Sequence, residues 1–550
     1  MSLRESHHDC ADARITQHRT CRERCDRRRA NDSDVVTATP HDWVEPVGAE
    51  PRAQWTSYVV AGVSLLMAAS QFWTGRLMSA FDSGVYFGAA SELVSGRLPY
   101  RDYVFVQPPG GLVLLSPWAM IGRLSTSSFG FEVARVASAV VVALVAVLVS
   151  RLLRPYGTLP ALVAGLAVAL APTAAFEMAS VKLESYCLLL CLLAVQWVLD
   201  PLDRAAHSLR WRLGAAGLAM GVAGSVKLWA FLPFVGLMAC VWSLGPRAIA
   251  RLLAWSTVGF ALMAGPFALL APAAFVKQVF VAQVERTHNV LGHVSTLNRL
   301  SQMTGLEHTP FALTGVGVTV VYATLITVTI VGFTVGGPRT PLDRYFLVSS
   351  VVTTLALLGA REFYGYYGYF LIPMVVGLFV TSATRIWRAY GASRSHRRSR
   401  LATGRLASTM VGVVMIAAVG VSLESVHQLS EVSAGASVPS SVARYIPPGS
   451  CVIFDDAIQG VLANRFVAAS ARCPVIVDAG GLAMALGGGD PQRSTALARI
   501  WRHDFQAAHY VVLAGLTPLG IPWTRELYNW FVGHFHVVVN AISYVIFRHD

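Results

Sequence analysis

The sequence predicts an α-helical polytopic membrane protein of about eleven spans, followed by a small C-terminal extracytoplasmic α/β domain. The 550 residues are 54% hydrophobic and 14% charged, with a mean hydropathy of +0.52, which is not the composition of a soluble globular protein. Apolar runs of roughly 17–22 residues recur along the chain, and this is the length that a helix needs to cross a bilayer. The last ~120 residues lose this pattern and carry short strand-like runs instead.

Residues 1–54 form a polar, basic leader, which we predict to be disordered and cytoplasmic. The leader has no apolar core, so it does not resemble a secretory signal, and its cysteines and histidines fit no strong zinc pattern. About nine arginines precede the first predicted span, Tyr58 to Trp73. The positive-inside rule therefore places the N-terminus in the cytoplasm and the segment after this span outside.

The transmembrane module is predicted over residues 55–425, with a first outer loop at 76–131. In that loop the apolar run Leu112 to Leu124 is short and contains Pro117, which predicts a helix on the outer surface. Treating it as a span would invert every later loop and place the basic run Arg385 to Arg405 outside, against the charge rule. The later spans are predicted at Val133–Leu153, Leu159–Phe176, Tyr186–Leu199, Leu213–Val226, Leu228–Leu244, Leu252–Leu270, Phe311–Val335, Tyr345–Leu358, Tyr364–Ala383 and Leu406–Leu423.

Residues 426–550 are predicted to form the α/β domain, and their number lies in the usual size range of a domain. Its helix is predicted over Asp490 to Phe505. Cys451 and Cys473 each begin a strand-like run and would form a disulfide in an oxidising compartment or remain reduced elsewhere. The predicted strands are CVIFDD, CPVIVD, HYVVLAG, FHVVV and YVIFRH.

The segment Phe81 to Gly111, FDSGVYFGAASELVSGRLPYRDYVFVQPPGG, contains more than a connector between two spans would need. Acidic residues held at a bilayer surface are costly to desolvate, so those in this segment indicate a functional site. Asp82 is the candidate general base and Asp102 a second carboxylate. Each also has a structural interpretation, Asp82 as a helix N-cap and Asp102 as the partner of a neighbouring arginine.

All three lysines of the chain, Lys182, Lys227 and Lys277, fall on the predicted outer side, against the positive-inside bias. A lipid-linked phosphate would account for them, because Lys and Arg bind phosphate and stabilise it as a leaving group. Moving a sugar from polyprenyl phosphate to a hydroxyl also requires a carboxylate that accepts a proton, and anionic groups favour an oxocarbenium-like transition state. The sequence contains neither a Walker motif nor a Gly-x-Gly-x-x-Gly motif after a strand, so a lipid donor is favoured over a nucleotide sugar.

Several features recur in a characteristic order between residues 57 and 400. They are Asp82 with Tyr86 after the first span, Gly96 with Pro99-Tyr100, Gln107-Pro108-Pro109, Arg135 at the head of a span, Lys182-x-Glu184 and Lys227. This order resembles the GT-C type of multi-span glycosyltransferases, which use lipid-phosphate sugars. The resemblance implies Asp82 as catalytic base and Glu184 as the second acidic residue near the outer end of a later span.

The chain departs from the protein O-mannosyltransferase branch of these enzymes. That branch has Asp-Glu where this chain has Asp82-Ser83, which leaves the sugar and the acceptor open. The Tyr-rich segment Phe363 to Pro373 resembles the late His/Tyr-Pro element of the family, without a His at its head.

The predicted site residues fall into three groups, each with a structural alternative. Lys182 and Glu184 are otherwise charges that snorkel from a helix end, Tyr364 a membrane anchor and His288 a surface histidine. The predicted catalytic residues are Asp82, Glu184 and Asp102, those for the donor phosphate are Lys182, Lys227 and Arg361, and those for substrate are Tyr86, Tyr100, Gln107, Tyr364 and His288.

These observations favour a glycosyltransferase of the cell membrane that acts in making cell-envelope glycans. It would move a sugar, mannose first and arabinose as the alternative, from polyprenyl phosphate to a glycan, glycolipid or protein hydroxyl on the outer face. The alternative of another class is a transporter or flippase for a lipid-linked substrate, which predicts repeated, discontinuous helices with mid-span acidic residues. Nucleic-acid binding is disfavoured, because the arginines behind the net charge of +13 lie at the ends of apolar runs. The sequence identifies no cofactor, and Asp82 with Asp102 is a weak signal for a divalent cation, which stays open.

Overall fold

A computed structural model of the chain describes residues 54–74, 81–199, 206–285, 294–305, 315–335, 339–393, 439–486, 491–513, 520–541 and 544–550. Its helices are α1 (Trp55–Thr74), α2 (Phe81–Val94), α3 (Gly110–Leu124), α4 (Ser127–Leu152), α5 (Thr158–Ala169), α6 (Pro172–Ala179), α7 (Leu183–Leu199), α8 (Ala206–Val226), α9 (Phe231–Val241), α10 (Pro246–Leu270), α11 (Pro272–Val276), α12 (Ala282–Val284), α13 (Thr296–Thr304), α14 (Gly315–Val335), α15 (Pro341–Gly359), α16 (Gly368–Ser393), α17 (Pro439–Tyr445), α18 (Ala457–Leu462), α19 (Ala479–Leu486), α20 (Thr495–Ala507) and α21 (Arg525–Val532). A single π-helical turn, Lys277–Val281, joins α11 to α12, and a short 3₁₀ turn, Gly365–Tyr367, precedes α16. The strands are β1 (Val452–Phe454), β2 (Tyr510–Leu513), β3 (Phe535–Ala541) and β4 (Tyr544–His549).

The membrane helices fall into long and short ones. Among the described residues, five helices are long and apolar enough to cross a bilayer, or six if the bent pair α5–α6 counts as one span. The predicted count of about eleven is therefore not confirmed. Length is one reason: the 17 residues of α7 reach about 25 Å, less than the roughly 30 Å of a hydrocarbon core. The predicted leader up to residue 53 and the last predicted span, Leu406 to Leu423, lie outside the described residues.

The span predicted at Leu159–Phe176 is two helices instead of one. Helices α5 and α6 meet at an angle of 56°, and the break falls immediately before Pro172. A proline at the first position of a helix has no N–H to continue the preceding ladder and its fixed φ suits a new start. The chain therefore bends after α5, and the short buried helix α6 begins at Pro172.

The C-terminal domain is built on a four-stranded sheet of order β1-β2-β4-β3, in which β1 and β2 are parallel and the other neighbours are antiparallel. Four of the five predicted strands form. CPVIVD, starting at Cys473, forms no strand, and its first carbonyl accepts a hydrogen bond from the Arg97 side chain. The predicted helix is α20, which begins after the N-cap Ser494. A disulfide joins Cys451 to Cys473, so the oxidised alternative is confirmed.

The C-terminal domain packs directly on α2. A Cβ on Gly84 would come within 2.3 Å of the backbone nitrogen of Ile458 in α18, and one on Gly88 within 2.9 Å of the Phe466 ring. Only glycine permits so close an approach of two backbones. Arg97 reinforces the contact, since its guanidinium donates to the carbonyls of Cys473 and Ser470 at 3.0 and 2.8 Å. The domain is therefore held against α2 and the turn that follows it.

Candidate active site

Asp82 lies at the centre of the site and belongs to a helix. It is the second residue of α2, so the segment interpreted as a loop from Phe81 onward begins with a helix that runs to Val94. The Lys182 ammonium donates to Asp82 Oδ2 at 2.9 Å, and the hydroxyl of Tyr366 donates to the same oxygen. The Asp82 side chain remains 26% exposed. One side of the carboxylate is thus open while the other is held by two donors.

The protonation of Asp82 follows from these partners. Burial alone would raise its pKa, but the charge of Lys182 and the hydrogen bonds from Tyr366 and Lys182 outweigh it, and the pKa is lowered below 3.8. Asp82 is therefore an ionised carboxylate at neutral pH. An ionised carboxylate with an open side meets the first requirement of a general base.

A second ion pair lies deeper in the bundle. Lys227, directly after α8, donates to Glu184 Oε1 at the start of α7, and the two side chains are 4% and 0% exposed. The ammonium groups of both lysines also lie over aromatic rings: Lys182 is 3.8 Å from the Tyr366 centroid, and Lys227 is 4.9 Å from that of Tyr367. Such cation–π contacts favour a desolvated cation. Two buried ammonium groups are thus held in an aromatic enclosure.

The aromatic enclosure comes from the Tyr-rich segment and its neighbours. Tyr366 stacks on Phe176 of α6 at 5.5 Å and on Tyr364 at 5.7 Å. Tyr367 packs against Trp229 at 4.4 Å. The substrate residue predicted here was Tyr364, yet the hydroxyl that reaches Asp82 belongs to Tyr366. Tyrosine spacing in FYGYYGYFLIP could not distinguish them, because Tyr364 precedes and Tyr366 lies within a short 3₁₀ turn, which has neither a strand nor an α-helical period.

Glu177 is a site residue that the sequence prediction missed. It lies in α6, its side chain is fully buried, and it interacts electrostatically with Glu184, Lys182 and Lys227. The available signal was an acidic residue at the end of an apolar run, which is costly in a membrane and usually functional. The predicted straight span ended at Phe176, so Glu177 was placed after the span. The bend between α5 and α6 instead puts Glu177 within a buried helix.

The C-terminal domain brings a further carboxyl group to the site. Asp456 caps α18, where its Oδ1 accepts from Ile458 N at 3.3 Å, and α18 rests on Gly84. Burial, together with the negative charge of Asp82, raises the pKa of Asp456 to about 7 against the lowering effect of the hydrogen bond from Ile458 N. The α/β domain therefore contributes an acid of near-neutral pKa within electrostatic reach of the candidate base.

The remaining predicted site residues are divided between this cluster and the surface. Tyr86 lies one turn after Asp82, is buried, and interacts electrostatically with Asp82 and Glu184. Arg361 is exposed after α15, and His288 lies outside the described residues.

Three residues of the predicted site serve the local structure after α2. Asp102 pairs with Arg101 at 2.8 Å and accepts from Leu98 N at 2.7 Å, which is its structural alternative. The hydrogen bond from Arg101 lowers the pKa of Asp102. Tyr100 has a φ of 67°, strained for a non-glycine residue, and its hydroxyl donates to the carbonyl of Gln107 at 2.6 Å. In this structure these residues shape the loop, and Asp102 does not join Asp82.

A metal site has little support in the geometry. Within the described ranges, no three His, Cys, Asp or Glu side chains are placed to hold an ion together. Asp82 is engaged by Lys182 and Tyr366, and Asp102 by Arg101. The two carboxylates considered for a divalent cation are thus each bound to a different partner.

Comparison with solved structures defines the class of fold. The chain matches ArnT from Cupriavidus metallidurans bound to undecaprenyl phosphate with a TM-score of 0.59 at 17% identity, over 89% of this chain and 97% of that one. It matches ArnT from the same organism in the apo state with a TM-score of 0.58 at 14% identity and the same coverage. No family model matches the chain, and no curated protein matches it by sequence.

ArnT is a GT-C glycosyltransferase, so the GT-C resemblance predicted from the sequence is confirmed at the level of the fold. Coverage of nearly the whole ArnT chain includes the membrane helices and the C-terminal domain. The particular reaction of this chain is not given by a likeness of under 20% identity.

Proposed function

We propose that this protein is a membrane glycosyltransferase that moves a sugar from polyprenyl phosphate to a hydroxyl acceptor, with Asp82 as general base. The observation that carries the proposal is Lys182, a buried cation that touches Asp82 at 2.9 Å. The reaction needs a base for the proton of the acceptor, whose oxygen bonds to the anomeric carbon, and a cation for the phosphate that leaves the same carbon. The pair places both groups side by side.

The base is oriented for an acceptor that arrives from its open side. The acceptor oxygen would lie next to Asp82, with its proton directed at the carboxylate and the sugar's anomeric carbon beyond it. The hydroxyl of Tyr366 holds the second donor position and fixes the carboxylate rotamer. The C-terminal domain packs on Gly84, two residues after Asp82, so we propose that this domain helps to bind the acceptor.

The phosphate would be bound by Lys182 and Lys227. Both are buried, so their electrostatic attraction for a phosphate is stronger than it would be in water. In this structure Asp82 and Glu184 are the anionic partners of these two cations, and the phosphate would add a further anionic partner to each. The solved structure of ArnT contains undecaprenyl phosphate, which supports a lipid phosphate as donor. We propose Arg361, which is exposed after α15, as a third cation for the phosphate. We propose Tyr86 and Tyr364 as residues that bind the sugar.

The sugar is proposed as mannose, with arabinose as the alternative, and the acceptor as a glycan, glycolipid or protein hydroxyl. The reaction is placed on the outer face, because the positive-inside rule puts the segment after α1 there. The disulfide Cys451–Cys473 supports an extracytoplasmic C-terminal domain, since disulfides persist in oxidising compartments.

The deciding experiment compares wild type with Asp82→Asn in membranes supplied with radiolabelled polyprenyl-phosphate mannose or arabinose. Removing the base should lower transfer by about 10²–10⁴-fold at equal expression. Asp504→Asn, the same change in α20 of the C-terminal domain, is the matched control and should transfer normally. Undiminished transfer by Asp82→Asn would exclude this base, and net movement of labelled lipid without transfer would favour the flippase.

A further inference from the structure

Glu177 is a fully buried carboxyl group for which the proposed reaction has so far given no role. In the described part of the chain, neither of its oxygens accepts a well-formed hydrogen bond. The backbone N–H of Ser185 has a smaller electrostatic effect on this carboxyl group than Lys182, Lys227 or Glu184 has. The hydroxyl of Tyr369, which interacts electrostatically with Glu177, is buried in the same condition. Glu177 is thus held in the site without the donors that an ionised carboxylate requires.

The charges around Glu177 are already balanced. Lys182 is paired with Asp82, and Lys227 with Glu184, so two cations face two carboxylates. An ionised Glu177 would add a third negative charge to this buried cluster. Burying an uncompensated charge is far more costly than burying the neutral acid. The geometry and the charge count therefore require a proton on Glu177 when the site is at rest.

The donor's phosphate creates a need for that proton. A sugar–phosphate–lipid diester carries one negative charge, and loss of the sugar leaves a monoester whose second ionisation has a pKa near about 6. Negative charge therefore develops on the departing oxygen, beside Lys182 and Lys227. A neutral carboxyl group interacting with the same two lysines is placed to supply a proton there.

We propose that Glu177 is the general acid that protonates the departing lipid phosphate, an inference that rests on the proposed function. The acceptor oxygen forms a bond to the anomeric carbon, and its proton passes to Asp82. The bond between the anomeric carbon and the phosphate oxygen breaks, its electron pair stays on that oxygen, and the oxygen takes the proton of Glu177. Water later returns a proton to Glu177 and removes one from Asp82.

The two proton transfers are coupled through Lys182. When Asp82 gains the acceptor's proton, Lys182 loses its anionic partner. Its charge is then free to stabilise the carboxylate that Glu177 becomes. The number of negative carboxylates in the cluster is the same before and after the step, which avoids building up charge in a desolvated site.

The test is the pH dependence of transfer by Glu177→Gln and Glu177→Asp in membranes, with Glu92→Gln as the control. Glu92 is likewise buried with an oxygen that has no hydrogen-bond partner among the described residues, but it lies near the other end of α2. We expect Glu177→Gln to lower kcat by about 10²-fold with the KM for donor changed by less than about threefold. It should also lose the fall in rate at alkaline pH that marks ionisation of the acid, while Glu177→Asp keeps that fall and Glu92→Gln matches wild type.

The outcomes separate this inference from the proposed function. If wild type transfers sugar and Asp82→Asn does not, but Glu177→Gln keeps the wild-type kcat and pH profile, only the general acid is overturned. No transfer by wild type overturns both. If Glu177→Gln does not fold, Glu177→Asp decides: activity with an alkaline fall supports the acid, and a folded but inactive protein overturns it.

Discussion

Replacing Lys227 by Met removes the positive charge that faces Glu184 and leaves a carboxylate in the core without its partner. The two side chains are 4% and 0% exposed, so water cannot take the place of the lost ammonium. Breaking a buried ion pair by removing one partner typically costs about 3–5 kcal/mol. We expect Lys227→Met to lower the free energy of unfolding by about that amount, and Glu184→Gln to do the same by leaving the lysine unpaired.

The double variant separates stability from catalysis. Lys227→Met with Glu184→Gln leaves no uncompensated charge, and such neutral replacements are often harmless or stabilising. It should therefore regain most of the stability lost in either single variant. Its transfer activity should stay about 10²–10³-fold below wild type, because the cation proposed to stabilise the departing phosphate is still missing.

The assay is thermal unfolding in detergent, followed with a dye that reacts with thiols as they become exposed. Cys187, Cys191 and Cys240 are free and buried in the helices, and they report on the core once the leader cysteines are replaced by Ser. Arg385→Met is the matched control, since it breaks another buried pair, with Asp343 at 2.9 Å, outside the site. It should cost similar stability and spare the activity of the folded protein.

Two results would contradict a stabilising charge pair: Lys227→Met melting like wild type, or a double variant no more stable than the single variants. The first result would mean that Glu184 is neutral or hydrated in the folded protein. The second would mean that the loss comes from packing of the lysine stem and not from its charge.

Three further predictions concern Tyr366, Gly84 and Glu92. Tyr366→Phe removes a hydrogen bond that lowers the pKa of Asp82, so the acid limb of the kcat/KM profile should move to higher pH. An unchanged acid limb would show that Tyr366 does not lower the pKa of Asp82. Gly84→Ala places a Cβ within 2.3 Å of the Ile458 nitrogen and should lower the melting temperature through a cost of about 1–3 kcal/mol, whereas Gly62→Ala in α1, with nothing within 4 Å, should not. Burial raises the pKa of Glu92 from 4.5 to about 7 against the effect of Arg97, so the folded state binds its proton more tightly than the unfolded state. The free energy of unfolding should therefore fall as pH rises from 4.5 to about 7. Glu92→Gln should reduce this pH dependence, as measured by denaturant titrations at several pH values.

Local patterns were enough to predict the class of fold and several residues of the cluster around Asp82. The apolar runs predicted the membrane helices, because a run long enough to cross a bilayer has few other uses. Charges in segments where they are costly pointed to Asp82, Lys182, Glu184 and Lys227, which the structure brings into one cluster. Asp102 was chosen by the same reasoning, but its own neighbour Arg101 binds it, and such a local pair gives no different signal in the sequence.

Local sequence patterns predict the membrane class, the strand-rich C-terminal domain and the residue types of the cluster that we propose binds phosphate and accepts a proton. These follow from hydropathy, alternation and the cost of buried charge, which are properties of short stretches of chain. The packing of the helices, in contrast, sets which tyrosine reaches Asp82, namely Tyr366 rather than Tyr364, and places the C-terminal domain on Gly84. It also decided that Glu177 faces the two lysines, because the bend before Pro172 sets its position. Contacts between residues hundreds of positions apart depend on how helices pack, and no local pattern encodes that packing.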